Sequence, residues 1–192
     1  MLYVYSQNKS KKCFLNPVNL KNSAAGAAVN LLPIGAKNQA TLQGALTLGG
    51  LTPLGVVAAI AANDMYGGTY RLFSKIYEKF GIVFHYVDMS SMSNISAKIN
   101  ANTKLIWAET PTNPLMNIAD IKAIATLAKA HKLLLCVDNT FASPALQNPL
   151  TLGADIVMHS ATKYLSGHSD VIQGALVIND KALRDELYFI QK

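Results

Sequence analysis

The first 63 residues contain no aspartate, no glutamate and no arginine, yet they carry five lysines, Lys9, Lys11, Lys12, Lys21 and Lys37. The net charge of +6 belongs to this third, because residues 64–192 hold 12 basic and 11 acidic side chains. No ladder of aromatics accompanies the lysines, so the segment reads as a solvated stretch and no nucleic-acid partner is expected. The missing arginine and the lack of a cleavage pattern argue against a targeting segment. Cysteine is equally scarce. Cys13 and Cys136 are far apart and in unlike surroundings, which excludes a disulfide framework and implies a reduced, cytoplasmic setting. His159 and His168 have no second ligand at a useful spacing, so no metal is expected. Only 15% of residues are charged and 51% are hydrophobic, which is too apolar for disorder and suits one sizeable core. Charge is absent altogether from residues 41–63, a run long enough to span a membrane. Gly44, Gly49, Gly50, Pro53 and Gly55, with Thr41, Gln43, Thr47 and Thr52, lower its apolarity. Buried globular structure is the expectation there, and no membrane partner.

From residue 63 the text becomes regular. Residues 54–62 read as a strand or a buried helical turn. Gly67-Gly68 suggests a turn with positive φ. Leu72, Phe73, Ile76, Tyr77 and Phe80 recur at spacings of three and four, which predicts a helix over 70–80 closed by Gly81. Residues 82–87, 104–108, 133–137, 156–158 and 175–178 are short apolar strands, and 91–100 and 181–191 read as helices. Pro111 and Pro114 keep 109–115 out of any helix. Asn117, with Asp120 three residues on, reads as the N-cap of a helix whose apolar face is Ile118, Ile121, Ile124, Ala125, Leu127 and Ala128. Continuously apolar strands separated by helices define an α/β fold, a mostly parallel sheet covered by helices.

In such sheets ligands bind beyond the carboxyl ends of the strands. Polar residues stand there in this sequence: Glu109, Asp138, and Ser160-Ala161-Thr162-Lys163. Ser160 and Thr162 can reach one anionic group together, and Lys163 can hold a carbonyl as a Schiff base. A phosphorylated aldehyde satisfies all three, and pyridoxal 5'-phosphate is such a molecule. It also needs an acid beside its ring nitrogen and a group packed on its ring. Asp138 can be the first and Tyr66 the second, although a loop-capping aspartate and a packed core tyrosine would look the same in sequence. Arg71 reads as a helix-surface charge or as a substrate or phosphate contact.

The segments Asp64-Met65-Tyr66-Gly67-Gly68-Thr69-Tyr70-Arg71, Glu109-Thr110-Pro111-Thr112-Asn113-Pro114, Val137-Asp138-Asn139-Thr140-Phe141 and Ser160 to Asp170 closely resemble, in order, motifs of the cystathionine γ-synthase, cystathionine γ-lyase and methionine γ-lyase family. The resemblance runs from about residue 63 to the end. It implies the large domain of a fold-type I pyridoxal-phosphate enzyme, and γ-elimination or γ-replacement in sulfur amino-acid metabolism. Lys163 would hold the cofactor and move protons, and Asp138 would pair with the ring nitrogen. Ser160 and Thr162 would hold the phosphate. Tyr66 would stack on the ring and act as acid or base near the leaving group. Asn113 would bond the ring hydroxyl, and Arg71 would face the amino-acid substrate. The family's homotetramer is expected. Residues 1–62 lack the family's upstream motifs, so they are expected to form an atypical amino-terminal segment before a partial large domain at 63–192. A carboxyl-terminal small domain is expected to be absent. A catalytically inactive remnant of the fold is the alternative.

Overall fold

The computed structural model describes residues 2–5 and 57–191. The lysine cluster, Cys13, residues 41–56 of the uncharged run and most of the expected amino-terminal segment lie outside the described residues. Seven strands form one sheet: β1 (Leu2–Tyr5), β2 (Val57–Ala62), β3 (Ile82–Val87), β4 (Thr103–Glu109), β5 (Leu134–Asp138), β6 (Ile156–Ser160) and β7 (Gly174–Ile178). Their order is β1-β7-β6-β5-β4-β2-β3. From β3 to β6 every neighbouring pair is parallel. β7 runs antiparallel to β6 because residues 161–173 join them without a crossover helix. β1 pairs with β7 in parallel.

The helices are α1 (Gly67–Lys75), α2 (Met92–Ser96), α3 (Ile121–Ala130), α4 (Ser143–Leu146) and α5 (Lys181–Gln191). α1 buries Leu72 and Phe73. Phe73 stacks on Phe84 of β3 at 4.4 Å and meets Trp107 of β4 edge-on at 5.4 Å. α3 buries Ile121, Ile124, Ala125 and Ala128. β2-α1-β3 and β4-α3-β5 step in opposite directions along the sheet, so right-handed crossovers place α1 and α3 on opposite faces. This sheet has its topological switch point between β2 and β4, the position at whose carboxyl ends open α/β sheets place their ligands.

Three local expectations are corrected. Gly67 and Gly68 do not form a positive-φ turn; both lie in the first turn of α1. Gly68 leaves room for the Tyr66 ring instead, which a Cβ there would meet. The helix expected over 70–80 ends at Lys75, breaks at Ile76 and resumes as a 3-10 turn, Tyr77–Phe80, capped by Gly81 at φ 85°. Asn117 does not cap α3. Its backbone N–H donates to Thr112 Oγ1 at 2.8 Å and its side-chain amide to Asp64 Oδ2 at 3.1 Å. Asp120 caps the helix, accepting from the Ala123 N–H at 2.9 Å. Ile118 therefore lies outside the helix and is 66% exposed. No helix among the described residues is long and apolar enough to cross a membrane.

Candidate active site

Glu109 and Asp138 are the last residues of β4 and β5 and stand directly opposite each other in the register. Each ends a strand whose apolar side chains bury it, and each is 5% exposed. Two carboxyl groups in that position resist ionising together. Burial first, and then the neighbouring Asp138, push Glu109 up to about 8. Burial pushes Asp138 up to about 6, against hydrogen bonds from Thr140 that favour its charged form.

Glu109 has both oxygens engaged. The Tyr66 N–H donates to Oε2 at 2.8 Å and the Asn113 N–H to Oε1 at 2.9 Å. These bonds bring the start of α1 and the loop after β4 to the switch point. Tyr66 is half exposed, with its ring over Gly68. The loop is braced by Thr112, whose hydroxyl donates to Asp64. Arg71, one turn along α1, folds its guanidinium back toward Gly67 and is exposed.

Asp138 is held from one side only. Its Oδ1 accepts from the Thr140 N–H at 3.0 Å and from the Thr140 hydroxyl at 2.6 Å. Thr140 Oγ1 in turn accepts from the Ser160 N–H at 2.8 Å, tying the end of β5 to the end of β6. The Lys163 N–H donates to the Ser160 carbonyl at 3.0 Å, and Lys163 stands exposed on the turn that follows. Ser160 Oγ makes no hydrogen bond among the described residues. Thr162 differs: its hydroxyl donates to the Gln173 carbonyl at 3.2 Å and accepts from the Gln173 N–H at 2.8 Å. Behind the site Asn139 is fully buried and exchanges hydrogen bonds with Gln147, which also donates to the Thr110 carbonyl at 3.0 Å.

Backbone links thus bring Tyr66 and Asn113 together through Glu109, and Asp138, Ser160 and Lys163 together through Thr140. Arg71 makes no hydrogen bond or ion pair with any of them. His159 is buried, and that burial lowers its pKa; His168 is exposed in the loop after Lys163. Among the described residues no group of His, Cys, Asp and Glu could hold a metal ion. The organising roles of Glu109 and Thr140 were not assigned from sequence. An acid ending an apolar strand was the signal for the first. A threonine two residues after an aspartate, the spacing of a local side-chain-to-backbone turn, was the signal for the second.

The residues fit a pyridoxal cofactor on one observation. Asp138 is a buried acid whose Oδ2 has no hydrogen-bond partner among the described residues, so it presents an open acceptor suited to a cationic N–H. An α/β, mostly parallel sheet with an acid, a lysine and hydroxyls at neighbouring carboxyl ends matches the fold of pyridoxal-phosphate enzymes. The sequence model of the Cys/Met metabolism PLP-dependent enzymes matches residues 7–192, and the chain belongs to that family. The match reaches well before residue 63, so the likeness is wider than the four motifs that carry it in the sequence. A Bacillus subtilis cystathionine γ-synthase/O-acetylhomoserine (thiol)-lyase is 46% identical over 97% of this chain and 48% of its own length. A Lactococcus lactis cystathionine β-lyase is 53% identical over 69% of this chain and 35% of its own. The crystal structure of a Lactobacillus plantarum cystathionine γ-lyase complexed with L-serine superposes with a TM-score of 0.71 at 46% identity, covering 80% of this chain and 39% of that one. The chain spans less than half the length of these relatives.

Proposed function

We propose that the chain supplies the cofactor half of an active site that performs γ-elimination or γ-replacement on sulfur amino acids related to cystathionine. The carrying observation is the Oδ2 of buried Asp138, which has no partner among the described residues, one strand from the turn that bears Lys163. The cofactor supplies an electron sink for charge that develops beside the amino group. Lys163 would hold its aldehyde, and its amine, once displaced by the substrate amine, would move the α-proton. Asp138 would keep the ring nitrogen protonated. Ser160 Oγ is available to the phosphate, and Thr162 joins it by turning its hydroxyl proton away from the Gln173 carbonyl. Tyr66, exposed at the switch point, would cover the ring and exchange a proton at the leaving group. Asn113 would donate to the ring hydroxyl, and Arg71 would meet the substrate side.

The relatives' names include a γ-synthase and a β-lyase, and the resemblance of the Glu-Thr-Pro-Thr-Asn-Pro segment to the γ-acting branch of the family favours the γ-acting reading. The family's cytoplasmic homotetramer is part of the same proposal. The test is a visible spectrum of the chain with pyridoxal phosphate, followed by borohydride reduction and peptide mapping. The expected result is a covalent adduct on Lys163, absent in Lys163→Ala, with turnover of cystathionine or a related γ-substituted amino acid. An adduct on other lysines would overturn the assignment. An adduct at Lys163 without turnover would select a chain that keeps only the cofactor contacts.

A further inference from the structure

Glu109 has a feature that packing alone does not require. It is a buried acid beside a second buried acid, an arrangement that costs free energy against an apolar side chain of similar size. Its two oxygens are divided between two loops, Tyr66 N–H on one and Asn113 N–H on the other. The first of these bonds joins residues 43 apart in sequence and ties the chain after β2 to the carboxyl end of its neighbour β4. Glutamine in its place could accept from only one of the two amides, because its nitrogen is a donor. Aspartate would be one methylene short of spanning both.

We propose that Glu109 is a positioning residue of the cofactor site, a single carboxylate that sets the separation between Tyr66 and Asn113 and so the width of the slot for the ring. The inference rests on the cofactor reading above. The charges acting on Glu109 come from Asp138 on β5 and from Asp64 after β2, and both oppose its ionisation. A cation placed against Asp138 cancels the larger of these repulsions. Cofactor binding is therefore coupled to ionisation of Glu109, and an ionised Glu109 offers both amides a full acceptor.

The test follows the Tyr66 and Asn113 amide protons of the ¹⁵N-labelled full chain as pH is varied without cofactor. Both resonances are expected to titrate with one shared midpoint well above the ordinary carboxyl range. That midpoint is expected to fall when pyridoxal phosphate is added. In Glu109→Gln the shared titration is expected to vanish while cooperative melting persists, and pyridoxal phosphate is expected to bind about tenfold more weakly. Amides that titrate separately or not at all in the unsubstituted chain would overturn the proposal without need of a variant. So would a folded Glu109→Gln chain that binds pyridoxal phosphate unchanged. A failure of the unsubstituted chain to bind pyridoxal phosphate, with the shared titration intact, would strike the cofactor reading and the slot's proposed occupant, and leave the clamp itself standing.

Discussion

The β2/β4 switch point and the β5/β6 edge are built from the same materials and held differently. At the first, Glu109 closes both of its oxygens on backbone amides. At the second, Asp138 closes one oxygen on Thr140 and leaves the other open. The two acids are register partners with equal exposure, so burial does not separate them. Hydrogen bonding does: both oxygens of one acid hold backbone amides, and one oxygen of its neighbour has no partner among the described residues. A saturated carboxylate organises backbone, whereas a buried carboxylate with an open oxygen calls for a cationic ligand.

Substituting Asp138 breaks this contrast most sharply. Asp138→Asn is expected to weaken pyridoxal phosphate by about a hundredfold, as loss of a charge-assisted bond implies. The same change is expected to raise the melting temperature of the cofactor-free chain above pH 6, because it removes a buried charge. Opposite signs in binding and in melting mark an acid kept for a ligand. A fall in both would make Asp138 a structural cap. Thr140→Val comes next. It keeps the shape but removes the donor to Asp138 and the acceptor for the Ser160 N–H, at an expected cost of about 1–3 kcal/mol in denaturant unfolding. An unchanged midpoint would show that the two strand ends are held by other means.

The pH dependence of the cofactor-free chain sharpens the comparison further. Both acids have folded-state values raised above their ordinary ones, Asp138 to about 6 and Glu109 to about 8. These two groups therefore hold more protons in the folded state than in the unfolded chain between about 4 and 8, and their contribution to stability falls as pH rises through that window. Buried His159, whose pKa is lowered, contributes in the opposite sense at the lower end of that window, so melting temperatures are expected to decline most clearly from pH 7 to pH 8, and bound pyridoxal phosphate is expected to reduce the Asp138 contribution. Stability that rises from pH 7 to pH 8 would contradict the Glu109 assignment. The smallest effect is expected for Gly68→Ala. Alanine gains up to about 1 kcal/mol in helix propensity, but its Cβ would displace the Tyr66 ring. The folded stability is expected to change little while the affinity for pyridoxal phosphate drops a few-fold.

Much of the described sheet was legible because a strand buried on both faces leaves a continuous apolar run. β4 and β5 read clearly from residues 104–108 and 133–137, and their polar ends marked the edge of the candidate site. The misreadings came from local signals that tertiary contacts overrode. Gly67-Gly68 has the composition of a turn, yet it opens a helix, and the Tyr66 ring lies where a Cβ at Gly68 would stand. Asn117 has the chemistry of an N-cap, but Thr112 and Asp64 engage its amide groups first. Glu109 was visible as a strand end and its partners were not, since one of them lies 43 residues away.

Sequence alone settled which residues could become strands and helices, and which polar groups would stand at strand ends, because apolar runs, periodicity and chain stiffness act locally. It also put the lysine, the acid and the hydroxyls in an order that marks the family. Only the tertiary structure decided that β7 runs against its neighbour, that Glu109 and Asp138 face each other, and that one is saturated while the other stays open. Those outcomes depend on strand order and register, and the state of a buried carboxyl group depends on which groups register brings beside it.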